Sequence, residues 1–374
     1  MENMGIDLSH FFSGVYKGKR VLITGDTGFK GSWLSIWLKE LGADVYGYAL
    51  PAKSEAENFT RCSLEKHIHH QDGDIRDANT LLDVFQKVQP EIAFHLAAQA
   101  IVLDSYKLPQ YTFETNLMGV VNFFEAVRNT PSVKAAINIT SDKCYQNNEW
   151  LWGYRENDPM GGSDPYSASK GCSELITQSY HNSFFPEQGT CHIASGRAGN
   201  VIGGGDWAPY RIVPDFFRAI KDDKELIIRN PGAVRPWQHV LEPLSGYLLL
   251  GAMLWNYGEK FSGGWNFGPV ETNCCSVLAL IENIIQITGK GGYIVPPSEK
   301  APHEAMLLKL DISKANILLK WRPALTLNET VEFTAKGYLD ELKGNADLYS
   351  CRSEQLDQYL KIACDRGIPW TNAG

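Results

Sequence analysis

Residues 20–31 read Arg-Val-Leu-Ile-Thr-Gly-Asp-Thr-Gly-Phe-Lys-Gly, a β-rich apolar run that breaks into a glycine-rich turn. Ser32-Trp-Leu-Ser-Ile-Trp-Leu-Lys-Glu-Leu41 follows, apolar at helical spacing, and Gly42 ends it as a C-cap. Strand, turn and helix in this order give each glycine a task. Gly25 permits a tight turn, Gly28 lets a pyrophosphate approach the backbone, and Gly31 lets helix and strand pack. The helix N-terminus then directs free N–H groups and partial positive charge at the phosphates. Gly25, Thr27, Gly28, Phe29, Lys30 and Gly31 are therefore the candidate phosphate-holding set. The competing reading, a β–α turn without a ligand, loses ground because the flanking strand and helix are both present.

The alternation continues outward. Asp44–Leu50 is the expected second strand, Asp77–Val88 a helix, Ile92–Leu96 a buried strand, Pro109–Asn129 a long helix, Ala135–Thr140 a strand and Ser167–Phe184 a helix. Repeated strand–helix alternation means an α/β fold: a Rossmann-type, doubly wound parallel sheet with helices on both faces. After about Gly196 the pattern loosens. Glycines 203–205 and prolines 209, 214, 231 and 236 punctuate short elements, with helices expected at Val277–Thr288 and Ser313–Leu319. The expected organisation is a dinucleotide-binding domain over 17–196 that also carries the catalytic residues. A smaller mixed α/β substrate lobe spans mainly 197–345, part of it returning to the sheet, and 346–374 is a C-terminal extension.

Composition excludes several classes. The 374 residues are 44% apolar and 21% charged, which suits a chain with sizeable cores. A net charge of −8, without a basic run, argues against a nucleic-acid partner. No stretch reaches the roughly 20 apolar residues of a membrane span. The eight cysteines show no C-x-x-C pairing, so neither a zinc site nor a disulfide framework is expected, and a reduced cytoplasmic setting is. His67, His69 and His70 lack accompanying Cys or acidic ligands at metal-site spacing, so a solvated loop is expected there and no metal.

Tyr166-Ser-Ala-Ser-Lys170 carries the chemistry. Tyr and Lys four apart in a helix share one face. A free phenol titrates at about 10 and is a poor base at neutral pH. A neighbouring ammonium favours the phenolate and can also hydrogen-bond a cofactor ribose. Alone, the spacing fits any amphipathic helix start. After the glycine turn and a strand ending Thr140-Ser141, it points to hydride chemistry.

The G-x-x-G-x-x-G spacing together with Tyr-x-x-x-Lys resembles the extended short-chain dehydrogenase/reductase superfamily. That resemblance implies adenine contacts from Asp74 and Ile75 and a cofactor-lining segment in Leu96, Ala97, Ala98 and Gln99. It makes Ser141 the third member of a triad with Tyr166 and Lys170. The second strand ends Tyr46-Gly-Tyr-Ala-Leu50, without an acid for the ribose, and NAD is the expected cofactor. Within the superfamily, Thr140-Ser-Asp-Lys-Cys-Tyr145 resembles the nucleotide-sugar 4,6-dehydratases. The stretch 139–170, ITSDKCYQNNEWLWGYRENDPMGGSDPYSASK, is similar to that of the CDP-glucose 4,6-dehydratases, which carry lysine where other dehydratases have glutamate. Residues 197–207, 228–231, 235–247 and 264–268 extend the similarity.

The resemblance implies three steps: oxidation at C4 by Tyr166, Lys170 and Ser141 with NAD, loss of water across C5–C6, and hydride return to C6. Asp142 would protonate the departing 6-hydroxyl and Lys143 would take the C5 proton. Asn200, Arg211, Arg235 and His303 are the implied substrate contacts. A homodimer or dimer of dimers, and a place in deoxysugar biosynthesis for lipopolysaccharide O-antigen, are further implications. The chain departs from the family's usual residues at Asp26, Leu103, Asp104 and Ser163. Asp26 places a carboxylate beside the expected pyrophosphate, which calls for an offsetting cation, Lys30 or another. Two alternatives stay open: a nucleotide-sugar 4-epimerase, which needs no acid/base pair after Ser141, and a non-catalytic NAD(P)-sensing protein.

Overall fold

The computed structural model describes residues 8–185, 189–296, 308–344 and 347–371. Seven parallel strands form the central sheet: β1 (Arg20–Thr24), β2 (Asp44–Ala49), β3 (His69–Asp72), β4 (Ile92–His95), β5 (Ala135–Ile139), β6 (His192–Ala198) and β7 (Gly263–Phe267), in spatial order β7-β6-β5-β4-β1-β2-β3. β4 and β5 are buried at every position, as parallel strands covered on both faces must be. The order reverses between β1 and β4. Loops diverge there at the carboxyl ends of the strands and open a crevice, the standard ligand position of such sheets.

Among the described residues, nine main helices accompany the sheet: α1 (Phe29–Glu40), α2 (Ala78–Val88), α3 (Gly119–Arg128), α4 (Pro165–Phe184), α5 (Ile212–Lys221), α6 (Leu241–Tyr257), α7 (Val277–Thr288), α8 (Leu327–Leu342) and α9 (Leu348–Asp365). One face is covered by a core that includes Trp33 and Trp37 of α1, Leu244 and Leu248 of α6 and Tyr359 of α9. The other face is covered by Leu81 and Phe85 of α2 and Phe123 and Val127 of α3. A third core gathers Phe216 and Phe217 of α5, Ile281 and Ile284 of α7 and Tyr338 of α8. No helix among the described residues is long and apolar enough to cross a membrane.

Several elements differ from the sequence-based expectation for identifiable reasons. Asp77 is the N-cap of α2, its carboxylate accepting the Thr80 N–H, so the helix starts at Ala78. The expected helix over 109–129 contains a widened π turn at Glu114–Met118. Asn116, in that turn, is buried and bonds both Gln99 and Ser169. α4 begins at Pro165, two residues before the expected Ser167, because Asp164 caps the Ser167 N–H. The expected helix 313–319 is helical throughout, and its residues Ala315–Leu319 widen into a π turn. The three histidines are not in a solvated loop. His67 stacks on Tyr349 at 3.8 Å, His69 bridges Asp44 at 3.2 Å, and His70 lies within β3 against Asp26.

Candidate active site

The glycine turn is shaped for a dinucleotide. Gly25 has φ +82°, and a Cβ there would lie 2.6 Å from the Ala97 nitrogen. A Cβ on Gly31 would lie 2.0 Å from the Gly25 carbonyl oxygen, so the helix can approach the strand only with glycine. Gly28, the N-cap of α1, provides no side-chain acceptor, which leaves the first-turn N–H groups facing the crevice available to an anion. The turn is braced from behind. Thr24 Oγ1 is 2.7 Å from His95 Nδ1, and burial pushes His95 down to about 3, so it is a neutral structural imidazole.

Asp26 does not confront the phosphate site as an uncompensated charge. It is buried, and its Oδ2 lies 2.6 Å from His70 Nδ1, while His70 Nε2 is 3.1 Å from Asp72 Oδ1. The offsetting cation is thus His70, from β3. Lys30 serves elsewhere. Its charge is felt with those of Arg211, Asp142, Lys170 and Asp206, and its Nζ stands 5.9 Å from the Tyr247 ring centroid. Burial first, then Arg211, brings Lys30 down to about 8.

β5 ends at Ile139, and Asp142–Cys144 is a 3-10 turn capped by Ser141, whose Oγ accepts the Lys143 N–H at 3.3 Å. Asp142 and Lys143 are neighbours within this one turn, which sets them about 120° apart around its axis. Ser141 Oγ donates to Asp142 Oδ1 at 2.9 Å and also contacts the Tyr166 hydroxyl. Burial raises the Asp142 carboxyl above its ordinary range, which favours the protonated form an acid needs. Lys143 is half-buried. Burial pushes Tyr166 up to about 12; the Ser141 hydrogen bond and then Arg211 oppose it. Lys170 is brought down to about 8 by burial, against the charge of Glu174, and its Nζ is 3.5 Å from the Ile139 carbonyl oxygen. The charge of Arg211, which the sequence reading did not connect with the phenol, also favours the phenolate.

Other expected site residues fall into place unevenly. Leu96, Ala97 and Ala98 are half-buried at the crevice, and Gln99 is buried with its Oε1 unpartnered. Asp74 is gripped by Arg76 at 2.6 Å, and Ile75 is buried in the core beside Gly119. Asn200 follows Gly199, where a Cβ would lie 2.8 Å from Asp142 Oδ2. Arg211 caps α5 and pairs with the buried Asp206 at 2.7 Å. Arg235 sits on a short strand, Val234–Pro236, with its Nη1 donating to the Val234 carbonyl. His303 lies outside the described residues. Two members of the cluster are not foreseen. Asp206 holds Arg211, and Tyr247 is fully buried with its hydroxyl unpartnered. Both lie in stretches singled out above, Arg197–Trp207 and Arg235–Tyr247, but nothing local marks them.

The family model described as GDP-mannose 4,6 dehydratase matches residues 22–334. A CDP-glucose 4,6-dehydratase of Salmonella typhimurium is 48% identical over 349 residues, which is 92% of this chain and 97% of that protein. A UDP-glucose 4-epimerase of Mycolicibacterium smegmatis is 27% identical, over 84% of this chain and 98% of its own. Among solved structures, the dTDP-glucose 4,6-dehydratase of Streptomyces venezuelae with NAD and TYD bound superposes with a TM-score of 0.74 at 22% identity, covering 88% of this chain and 99% of its own.

Proposed function

The chain belongs to the GDP-mannose 4,6 dehydratase family, and from that membership we propose that it converts CDP-glucose to CDP-4-keto-6-deoxyglucose with NAD as a recycled cofactor. The observation that carries the reading is the junction at Ser141: a phenol on one side and a buried carboxyl, raised by its burial, on the other. An epimerase needs the first and has no use for the second.

When bound, NAD would supply the reversible hydride chemistry that oxidation at C4 and reduction at C6 require. Its phosphates would be held by the first turn of α1, with Gly25, Thr27, Gly28, Phe29, Lys30 and Gly31 around them. Leu96–Gln99 would line the crevice and Asp74 and Ile75 would border the adenine. NAD is favoured by the Streptomyces relative, solved with that cofactor. Tyr166 takes the proton of the C4 hydroxyl, assisted by Ser141 and by the positive field of Lys170 and Arg211. The resulting 4-ketone acidifies C5–H. Lys143 removes that proton as Asp142 gives its own to the departing 6-hydroxyl. Asn200, Arg211, Arg235 and His303 would take the sugar nucleotide, the arginines by bidentate contacts to phosphate.

In this division of labour residues 17–196 hold cofactor and redox groups, 197–345 mainly hold the sugar nucleotide, and 346–374 form a C-terminal extension. A homodimer or dimer of dimers is the proposed assembly. Exposed Leu108, Met118, Leu175 and Phe184, on and around α4 and the helical run before it, support that. The product would feed deoxysugar assembly of the O-antigen kind. Incubation with NAD and, in parallel, the CDP-, dTDP-, GDP- and UDP-sugars tests the proposal. Alkali-induced absorbance of a 4-keto sugar should appear with CDP-glucose foremost.

A further inference from the structure

α4 buries a polar face rather than an apolar one. Tyr166, Ser169, Lys170, Ser173, Glu174 and Thr177 are all buried. Four consecutive residues, 138–141, bind this face one after another. Asn138 Nδ2 donates to Ser173 Oγ at 2.9 Å and to Thr177 Oγ1 at 2.8 Å. The Ile139 carbonyl accepts from Lys170, the Thr140 hydroxyl donates to Glu174 Oε1, and the Ser141 hydroxyl meets Tyr166. Glu174 Oε2 accepts from Ser195 Oγ at 2.6 Å and Arg197 Nη2 at 2.8 Å, an ion pair of which neither side chain is more than 5% exposed. Burial opposes the charge on Glu174, but Arg197 and these hydrogen bonds outweigh it and hold the carboxyl below its ordinary range.

Apolar faces slide past one another at little cost. A polar rung that slips leaves a buried group unsatisfied, so this face fixes the register of helix against strand. We propose that Glu174 is a positioning residue: by taking the Thr140 hydroxyl it fixes the stretch between the two catalytic contacts, Ile139 carbonyl to Lys170 and Ser141 to Tyr166. The hydrogen bonds of Glu174 go to Thr140, Ser195 and Arg197, so it positions the pair through Thr140, with its charge also felt at Lys170. The inference rests on the reading of Tyr166 and Lys170 as the redox pair.

Glu174→Gln would strand the Arg197 charge and endanger folding, so the discriminating variant is Thr140→Val, which removes one rung and keeps the ion pair. Expected is a kcat for 4-keto-sugar formation lower by roughly ten- to a hundredfold, with KM for CDP-glucose close to wild type and a thermal midpoint lowered only by the loss of one buried hydrogen bond, so that the variant is folded at the assay temperature. Thr140→Ser should recover most of the loss. Crystal structures of wild type and Thr140→Val should show the Lys170 or the Ser141 contact opened in the variant. Wild-type kcat in Thr140→Val, a loss carried by KM or by the thermal midpoint, or two unmoved contacts would each overturn the assignment. A wild-type protein that forms no 4-keto sugar would instead refute the proposed function, and the pair of crystal structures would still decide the role of Glu174.

Discussion

Asp26 and His70 meet at 2.6 Å, Oδ2 to Nδ1, and so join the middle of the glycine turn to the third strand of the sheet. Asp26 Oδ1 is buried and unpartnered, and burial raises the carboxyl above its ordinary range, with the hydrogen bond and charge of His70 the main opposition. Burial works against charge on His70, but the hydrogen bond and charge of Asp26, then of Asp72, outweigh it and raise its pKa.

His70→Leu should therefore lower unfolding free energy by about 2 kcal/mol at pH 6. A raised histidine contributes stability that is full below its unfolded value of about 6.5 and is lost as pH climbs through the raised folded value. Urea unfolding of both proteins at pH 6 and pH 9 checks this. The gap between them should be wide at pH 6 and narrow at pH 9.

Asp142→Asn should separate the two halves of the reaction. Tyr166 and Ser141 remain, so oxidation at C4 proceeds and absorbance of reduced cofactor at about 340 nm accumulates when CDP-glucose is added with NAD. The 4-keto-6-deoxy product should fall by roughly a hundredfold or more, the usual worth of a general acid. Stopped-flow absorbance with product analysis reads both quantities on one sample.

Much of the site is legible in the sequence because its signals are local. The turn Gly25–Gly31 with its flanks, the pair Tyr166 and Lys170, and the run Ser141–Lys143 each lie within one continuous stretch of chain. What escapes the sequence is contact between distant segments. His70 is 44 residues from Asp26, so its role as counter-cation carries no spacing signature. Arg211 reads as a phosphate contact, yet the fold brings its charge onto Tyr166. α4 reads as an amphipathic helix, but its buried face is Ser, Lys, Glu and Thr, because the partner strand supplies hydrogen-bonding groups where periodicity presumes carbon.

Glu242, at the first turn of α6, accepts the Ala324 and Leu325 N–H groups and the Tyr359 hydroxyl, and so ties α9 to the central core. Burial raises it to about 7 against those hydrogen bonds. A raised carboxyl contributes stability that is full below its unfolded value of about 4.3 and lost as pH rises through the folded value. Wild-type thermal midpoints should fall between about pH 5 and pH 7 and level off above that, and Glu242→Gln should flatten that decline.

The most direct test is Tyr166→Phe with NAD and CDP-glucose. The account expects a folded protein that still binds NAD, while 4-keto-sugar formation drops by at least about a thousandfold, within the range for a lost catalytic base. Turnover near the wild-type rate in that variant would contradict the assignment of the phenol, and the dehydratase mechanism built on it.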